Sequence, residues 1–229
     1  RAFRNDGGSF TELTGAADPF AGVYVGGLSA PSFADLDGDG DSDMIVGSDS
    51  GTFRVFRNDD GTFTELTGAA NPFAGIVVGA HSKPSFADLD GDGDLDLVVG
   101  GFYGTLRTWR NDAGTFTELT GAGNPFDGID VGFLSTPAFG DVDGDGDLDL
   151  VVGSGYGTLR TWRNDGGTFS ELSGAANPLD GIDVGASSKP AFVDIDGDGD
   201  ADLVVGGSYG TFRVFRNDGG TFSELTGAS

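Results

Sequence analysis

Four stretches of the chain place five aspartates within nine residues, in the order Asp-x-Asp-Gly-Asp-Gly-Asp-x-Asp. They begin at Asp35, Asp88, Asp141 and Asp194, each 53 residues after the one before. Left alone, such a stretch repels itself. A hard divalent cation that takes about six to eight oxygen ligands reverses the sign. In the first stretch Asp35, Asp37 and Asp39 hold positions 1, 3 and 5. Gly40 at position 6 permits a sharp turn, Asp41 at position 7 offers its backbone carbonyl, and Asp43 at position 9 closes the site. The same roles fall on Asp88, Asp90, Asp92, Asp94 and Asp96, on Asp141, Asp143, Asp145, Asp147 and Asp149, and on Asp194, Asp196, Asp198, Asp200 and Asp202. An all-oxygen donor set disfavours zinc and copper, and magnesium prefers a strict octahedron with retained waters. Calcium, about four ions, is therefore the expected metal.

Two familiar calcium loops are excluded. An EF-hand needs a glutamate at position 12 between flanking helices, and here position 12 is Val46, Val99, Val152 and Val205. The tandem Gly-Gly-x-Gly-x-Asp run of a calcium roll is absent. Catalytic material is scarce. The chain has no cysteine, and its one histidine, His81, stands where the other repeats have Leu28, Leu134 and Ser187. Nucleophilic triads lack their parts. Paired carboxylates could serve glycoside hydrolysis, but every recurring acid here has a structural explanation. The expectation is a protein that is not an enzyme.

The elements that must hold these loops follow the same 53-residue period. Pro31, Pro84, Pro137 and Pro190 precede the loops in step, and Pro19, Pro72, Pro125 and Pro178 form a second set. Each repeat reads as four short strands. The first precedes the acidic loop, as in 138–142. The second follows it at once as a continuous apolar run, such as Leu97-Val98-Val99, the pattern of a strand buried on both faces. The third is exemplified by 157–163 and the fourth by 168–172, with Asn-Asp-x-Gly between them as a hairpin signal. Polar-apolar connectors such as 177–189 link the units, and no segment has a helical apolar period. Small sheets of this kind bury their faces by stacking around an axis. The expected fold is all-β, a β-propeller-type array of four-stranded antiparallel blades at about 30–66, 83–119, 136–172 and 189–225. The single repeat domain spans 1–229. Residues 1–17 match residues 213–229 at 13 of 17 positions, so an extra third-and-fourth-strand hairpin precedes the four blades.

Asp-x-Asp-Gly-Asp-Gly-Asp-Leu-Asp-Leu-Val-Val-Gly, preceded by Pro-x-Phe, resembles the FG-GAP/VCBS repeat family. That family includes the calcium-bearing blades of integrin α-subunit propellers and many bacterial surface and secreted proteins. The resemblance covers essentially the whole chain. It implies calcium in the hairpin between the first two strands of each blade. Rings of the family often have seven blades, whereas this chain has four and a hairpin. A closed ring of four, a slice of a longer array and a hairpin docked on another copy all fit.

Composition excludes several partners. Of 229 residues, 37 are acidic and 12 basic, a formal charge of −25, which opposes nucleic acid and anionic membranes. No apolar run is long enough to span a bilayer. The first residue is Arg1, as in a processed chain or a portion of a longer one. All ten arginines lie in the third strands, three residues apart, and are expected to pair with Glu12, Glu65, Glu118, Glu171 and Glu224 on the neighbouring strand or with connector aspartates. Tyr103, Tyr156 and Tyr209 are expected at the blade rim, with stacking on sugars as the alternative. Calcium sites of this kind fill at extracellular calcium concentrations. The expected role is a secreted or cell-surface structural or adhesion module. Its partner is a protein or further copies of itself, joined head-to-tail through residues 1–17 into a polymer or filament. The alternative is a carbohydrate-binding propeller lectin with glycan partners.

Overall fold

The computed structural model describes residues 1–226. Eighteen strands form five antiparallel sheets. The first sheet is a lone hairpin of β1 (Ala2–Asp6) and β2 (Ser9–Leu13). Four four-stranded meanders follow in chain order. Blade one holds β3 (Ala30–Ala34), β4 (Asp43–Gly47), β5 (Phe53–Asp59) and β6 (Thr62–Leu66). Blade two holds β7 (Lys83–Ala87), β8 (Asp96–Gly100), β9 (Leu106–Asp112) and β10 (Thr115–Leu119). Blade three holds β11 (Thr136–Gly140), β12 (Asp149–Gly153), β13 (Leu159–Asp165) and β14 (Thr168–Leu172). Blade four holds β15 (Lys189–Val193), β16 (Asp202–Gly206), β17 (Phe212–Asn217) and β18 (Phe222–Glu224). The first strands lie innermost, with β7 between β3 and β11, and β11 between β7 and β15. Pro31, Pro84, Pro137 and Pro190 line one axial cavity, so the blades stand propeller-fashion around a common axis. The only helical segments among the described residues are single 3-10 turns in the connectors, such as Gly68–Ala70.

Two strand boundaries differ from the sequence pattern. In blade three the first strand ends at Gly140, not Val142. Asp141 and Val142 already belong to the acidic loop, because the Val142 N–H donates to Asp149. The third strand starts at Leu159, because Gly157 is in a left-handed turn, and it runs on through Asn164 and Asp165. The turn itself is then only two residues, Gly166 and Gly167, both at positive φ. That is the primed geometry whose twist matches antiparallel strands.

Burial explains why the units stack. Ile45, Phe53 and Val55 of blade one meet Leu97, Val99 and Trp109 of blade two, with Phe73 from the connector sealing the seam. The seams between blades two and three and between three and four repeat this pattern around Phe126 and Leu179. At each of the three seams a backbone contact replaces a side chain. A Cβ at Gly47, Gly100 or Gly153 would collide with the carbonyl of Ser82, Ser135 or Ser188 in the next blade. Those serine hydroxyls return hydrogen bonds to the earlier blade; Ser135 Oγ accepts from Gly101 N–H at 2.8 Å. The seam glycine is thus fixed by close approach.

Among the described residues one buried side-chain polar atom lacks a partner. Thr161 Oγ1 in β13 makes no hydrogen bond, whereas the equivalent Thr108 donates to Asn124 Oδ1 at 2.9 Å. Blades one and four have Val55 and Val214 at this place. The isosteric change Thr161→Val removes an unmet hydroxyl and should stabilise the fold by about 1 kcal/mol. Thermal unfolding checks this, with an expected rise of about 2–4 °C; a drop in Tm would show that the hydroxyl is satisfied.

Candidate metal centres in the blade loops

Each acidic loop joins the first two strands of a blade, and its curl is built from its own carboxylates. Asp35 accepts from the N–H groups of Gly38 at 2.8 Å and Gly40 at 2.9 Å. Asp88, Asp141 and Asp194 grip Gly91 and Gly93, Gly144 and Gly146, and Gly197 and Gly199 in the same way. The glycines at positions 4 and 6 sit at positive φ, as in Gly38 at 79° and Gly40 at 96°. The winding turns carboxylates toward one point. Asp35, Asp37 and Asp39 have oxygens within 4.8 Å of one another. In the other loops the convergent set is positions 1, 3 and 9: Asp88, Asp90 and Asp96; Asp141, Asp143 and Asp149; Asp194, Asp196 and Asp202.

The aspartates at position 7 are not in these sets. Asp41, Asp94, Asp147 and Asp200 point instead at the neighbouring hairpin turn. They accept from the N–H of Asp60, Ala113, Gly166 and Gly219 at 2.7–3.0 Å. This leaves their backbone carbonyls as the group that position 7 can offer. The position 5 residues Asp92, Asp145 and Asp198 also lie outside the convergent sets. Each accepts from the N–H two residues on, at 2.9 Å.

Position 9 carries most of the electrostatic tension. Asp43, Asp96, Asp149 and Asp202 open the second strands and are buried. One oxygen accepts from the start of the loop and the other from the third strand. Asp96 takes Leu89 N–H and Asn111 N–H, both at 2.8 Å. Burial pushes the carboxyls of Asp96 and Asp149 up to about 6; these two N–H bonds oppose it, and the neighbouring aspartates at positions 3 and 5 add to it. Asp43 is raised for the same reasons.

The in-phase asparagine of Asn-Asp-x-Gly does more than mark a turn. Asn111 is buried, donates from Nδ2 to Leu95 O in the loop at 3.2 Å, and accepts from Gly114 N–H at 2.8 Å. Asn58, Asn164 and Asn217 do likewise. The asparagine therefore couples each acidic loop to its hairpin. Its exact repetition in the sequence was the available signal, and turn propensity alone concealed this role.

The arginines are accounted for. Arg1, Arg54, Arg107, Arg160 and Arg213 pair with the glutamates of the adjacent strand. Four of them also stack on the ring two residues along, as Arg107 does on Trp109 at 4.8 Å, and donate to a connector carbonyl. Arg4, Arg57, Arg110, Arg163 and Arg216 pair with the aspartate two residues on. Among the described residues Arg163 and Arg216 also come within ion-pair distance of an acidic cluster, at 3.9 Å from Asp143 and 3.7 Å from Asp196. Tyr103, Tyr156 and Tyr209 stand exposed at the rim over connector residues Gly79, Gly132 and Gly185. His81 lies 5.5 Å from the Phe102 ring, away from the loops.

Convergent carboxylates, all-oxygen donors and no cation inside the loop fit a hard divalent metal ion. The FG-GAP-like repeat profile matches residues 35–99, 88–152, 141–205 and 194–229 in overlapping tandem. The chain belongs to the FG-GAP-like repeat family. No curated protein sequence matches it. Among solved structures, an Agrocybe aegerita lectin that specifically recognises non-reducing terminal N-acetylglucosamine is 26% identical with a TM-score of 0.49; the match covers 85% of this chain and 51% of that one. The Tc holotoxin pore of Photorhabdus luminescens is 22% identical with a TM-score of 0.44, over 85% of this chain and 9% of that chain. The computationally designed Ika4 protein is 21% identical with a TM-score of 0.39, over 81% and 88%. The FG-GAP-like chain thus spans about half the length of the lectin.

The raised carboxyls set a pH dependence with a definite sign. In the metal-free protein Asp96 and Asp149 hold protons up to about pH 6, whereas in the unfolded chain they release them near pH 4. The folded state then binds more protons between these values, so metal-free stability rises as pH falls from about 7 to about 5. Glu65 and Glu224, held low by hydrogen bonds from Arg54 and Arg213, stay charged over this window. A bound cation favours the carboxylates and reverses the trend. Melting curves with chelator should climb on acidification, and those in saturating calcium should fall. Parallel curves would show that these aspartates do not meet the ion.

Proposed function

We propose that the chain is a non-enzymatic, calcium-stabilised structural or adhesion module of the extracellular space, which joins copies head-to-tail. The observation that carries this reading is the outer face of blade four. Ile195 and Phe212 there are 50% and 70% exposed, while the equivalent Leu36, Leu89, Val142, Phe53, Leu106 and Leu159 are all buried against the next blade. Gly206 faces open space where Gly47, Gly100 and Gly153 meet a serine. The complementary half stands at the other end of the chain. Ser29 is exposed, whereas its equivalents Ser82, Ser135 and Ser188 are fully buried in seams. Among the described residues no hydrogen bond or ion pair joins blade four to blade one or to the hairpin.

The internal seam is the template for the joint. Phe73 packs between Phe53 at 5.9 Å and Phe116 at 4.7 Å. Phe20 packs on Phe63 at 4.8 Å but lacks the first partner, and Phe212 of a second copy is its repeat equivalent. The hairpin of residues 1–17 resembles 213–229 closely enough to replace β17 and β18 beside β16 of a neighbour by strand exchange, although residues 227–229 lie outside the described residues. Exposed apolar faces with unpaired sheet edges invite such pairing. Calcium holds the loops between the first two strands of each blade. At a concentration a hundredfold above Kd each site adds about 2.7 kcal/mol to stability.

Sedimentation and electron microscopy in calcium test the assembly. The expected result is multimers or filaments that shrink to single chains in Phe212→Asp and after deletion of residues 1–17. A wild type that stays a discrete single-chain particle at every concentration would overturn head-to-tail joining and leave closure of the ring by its own ends.

A lectin is the second reading, favoured by two open grooves between blades. One, of about 520 Å³, is lined by Asp37, Arg57 and Phe116; the other, of about 460 Å³, by the equivalent Asp90, Arg110 and Phe169. An aromatic face beside polar side chains suits a sugar ring. A glycan array in calcium buffer decides it: saturable signal lost in Arg57→Ala with Arg110→Ala supports sugar binding, and a blank array removes it.

A further inference from the structure

We propose that the axial cavity is an anion site, in which Lys83 and Lys189 hold a small tetrahedral oxyanion of the sulfate or phosphate class. The chain has twelve basic residues, and the ten arginines are each committed to a carboxylate. The two lysines are the exception. Among the described residues neither has a carboxylate within ion-pair reach, in a protein that carries 37 acids. Both line one cavity of about 290 Å³, together with Pro31, Pro84, Pro137 and Pro190. No acidic side chain lines it.

The fold does not ask for lysine there. The lysines occupy equivalent positions at the start of β7 and β15, and the same position is Ala30 in β3 and Thr136 in β11. Alternate blades thus aim a cation at the axis without any partner. The ammonium of Lys83 is held below its usual range, first by burial and then by repulsion from Lys189. Two like charges sharing a confined space destabilise one another until a counter-charge sits between them.

The donors select the class of ion. The four prolines bring no N–H to the cavity, so beside the two lysines its side-chain donors are the hydroxyls of Ser29 and Thr136, which can also donate to an anion. Lysine presents a compact point charge with rotatable donors, which suits a tetrahedral oxyanion. Planar carboxylates are better matched by the arginine fork, which is absent from the cavity. The volume admits one such ion with several waters.

Sulfate is the probe, since its calcium salt is far more soluble than calcium phosphate, and free calcium is kept just above saturation of the loops. Isothermal titration of sodium sulfate into the calcium-loaded chain, with sodium chloride at matched ionic strength as control, should show one saturable site in the millimolar range. Lys83→Met with Lys189→Met should abolish the heat. It should also melt no lower than wild type in chloride, because it removes a repulsion. Sulfate raises the Tm of many proteins non-specifically, so the readout is the difference: the sulfate-over-chloride increment should be larger in wild type than in the double variant. Absence of saturable heat with the unmodified chain would overturn the site whether or not the variant folds. An equal response in the variant, as from sulfate on loop-bound calcium, would overturn it too.

Discussion

The buried aspartate at the ninth position of each loop is the interaction on which the blade depends. Asp96 lies at the first residue of β8, the strand buried on both faces, and ties the loop start at Leu89 to the third strand at Asn111. One carboxylate thereby fixes the register of three strands. Its cost is that a charge sits out of water next to two others, and burial raises its proton affinity accordingly. Asp88 and Asp90 cannot relieve this, because their carboxylates converge on the same point as that of Asp96, with Asp88 held there by the N–H groups of Gly91 and Gly93. A divalent cation would satisfy these three carboxylates together, and its binding would then be coupled to blade register.

Much of this was legible in the sequence because the repeat is exact. A 53-residue period without insertions places each proline, acidic loop and apolar run in phase. The continuous run Leu97-Val98-Val99 reads directly as the doubly buried strand, and all three residues are buried. The pairing of Arg107 with Glu118 follows from their places on neighbouring strands. What the pattern could not show was contact that depends on where a chain turns. Val142 looks like strand, yet its N–H belongs to the loop clasp. Asn111 looks like a turn former, yet it is a buried coupling between loop and hairpin. The carbonyl that Arg107 reaches, Val77 O, lies in a connector that repeats in phase but has no strand or helix pattern to say where its backbone points.

Repetition also explains why the two ends of the array differ from its middle. Every seam is made from unlike halves: a face of apolar side chains with a bare glycine from one blade, and a serine from the next with a connector phenylalanine or, in the last seam, Leu179. A linear run of such units always leaves one half of each kind over. Here the leftovers are Ile195, Phe212 and Gly206 at one end, and Ser29 and Phe20 at the other. Stability in stacked repeats is a sum of unit and interface terms, so blades one and four, each with one blade-to-blade seam instead of two, are the weaker units, and blade one alone has connector residues Phe20, Val23 and Val25 packed on its free side. The shortened outer strand of blade four, three residues in β18 against five in β6, β10 and β14, agrees with this.

Charge is distributed by the same logic of local satisfaction. An excess of 25 negative charges sounds like a diffuse repulsive surface. In the fold it resolves into four compact clusters, with all ten arginines held in third strands near their own partners. Exposed pairs of this kind contribute little stability each. Their larger effect is to keep the first arginine of each blade flat on its aromatic ring and bound to the connector. With the arginines so committed, the field at the clusters is left for a metal ion. The field at the axis is set by two lysines, the only Lys or Arg side chains that the fold leaves without a carboxylate among the described residues.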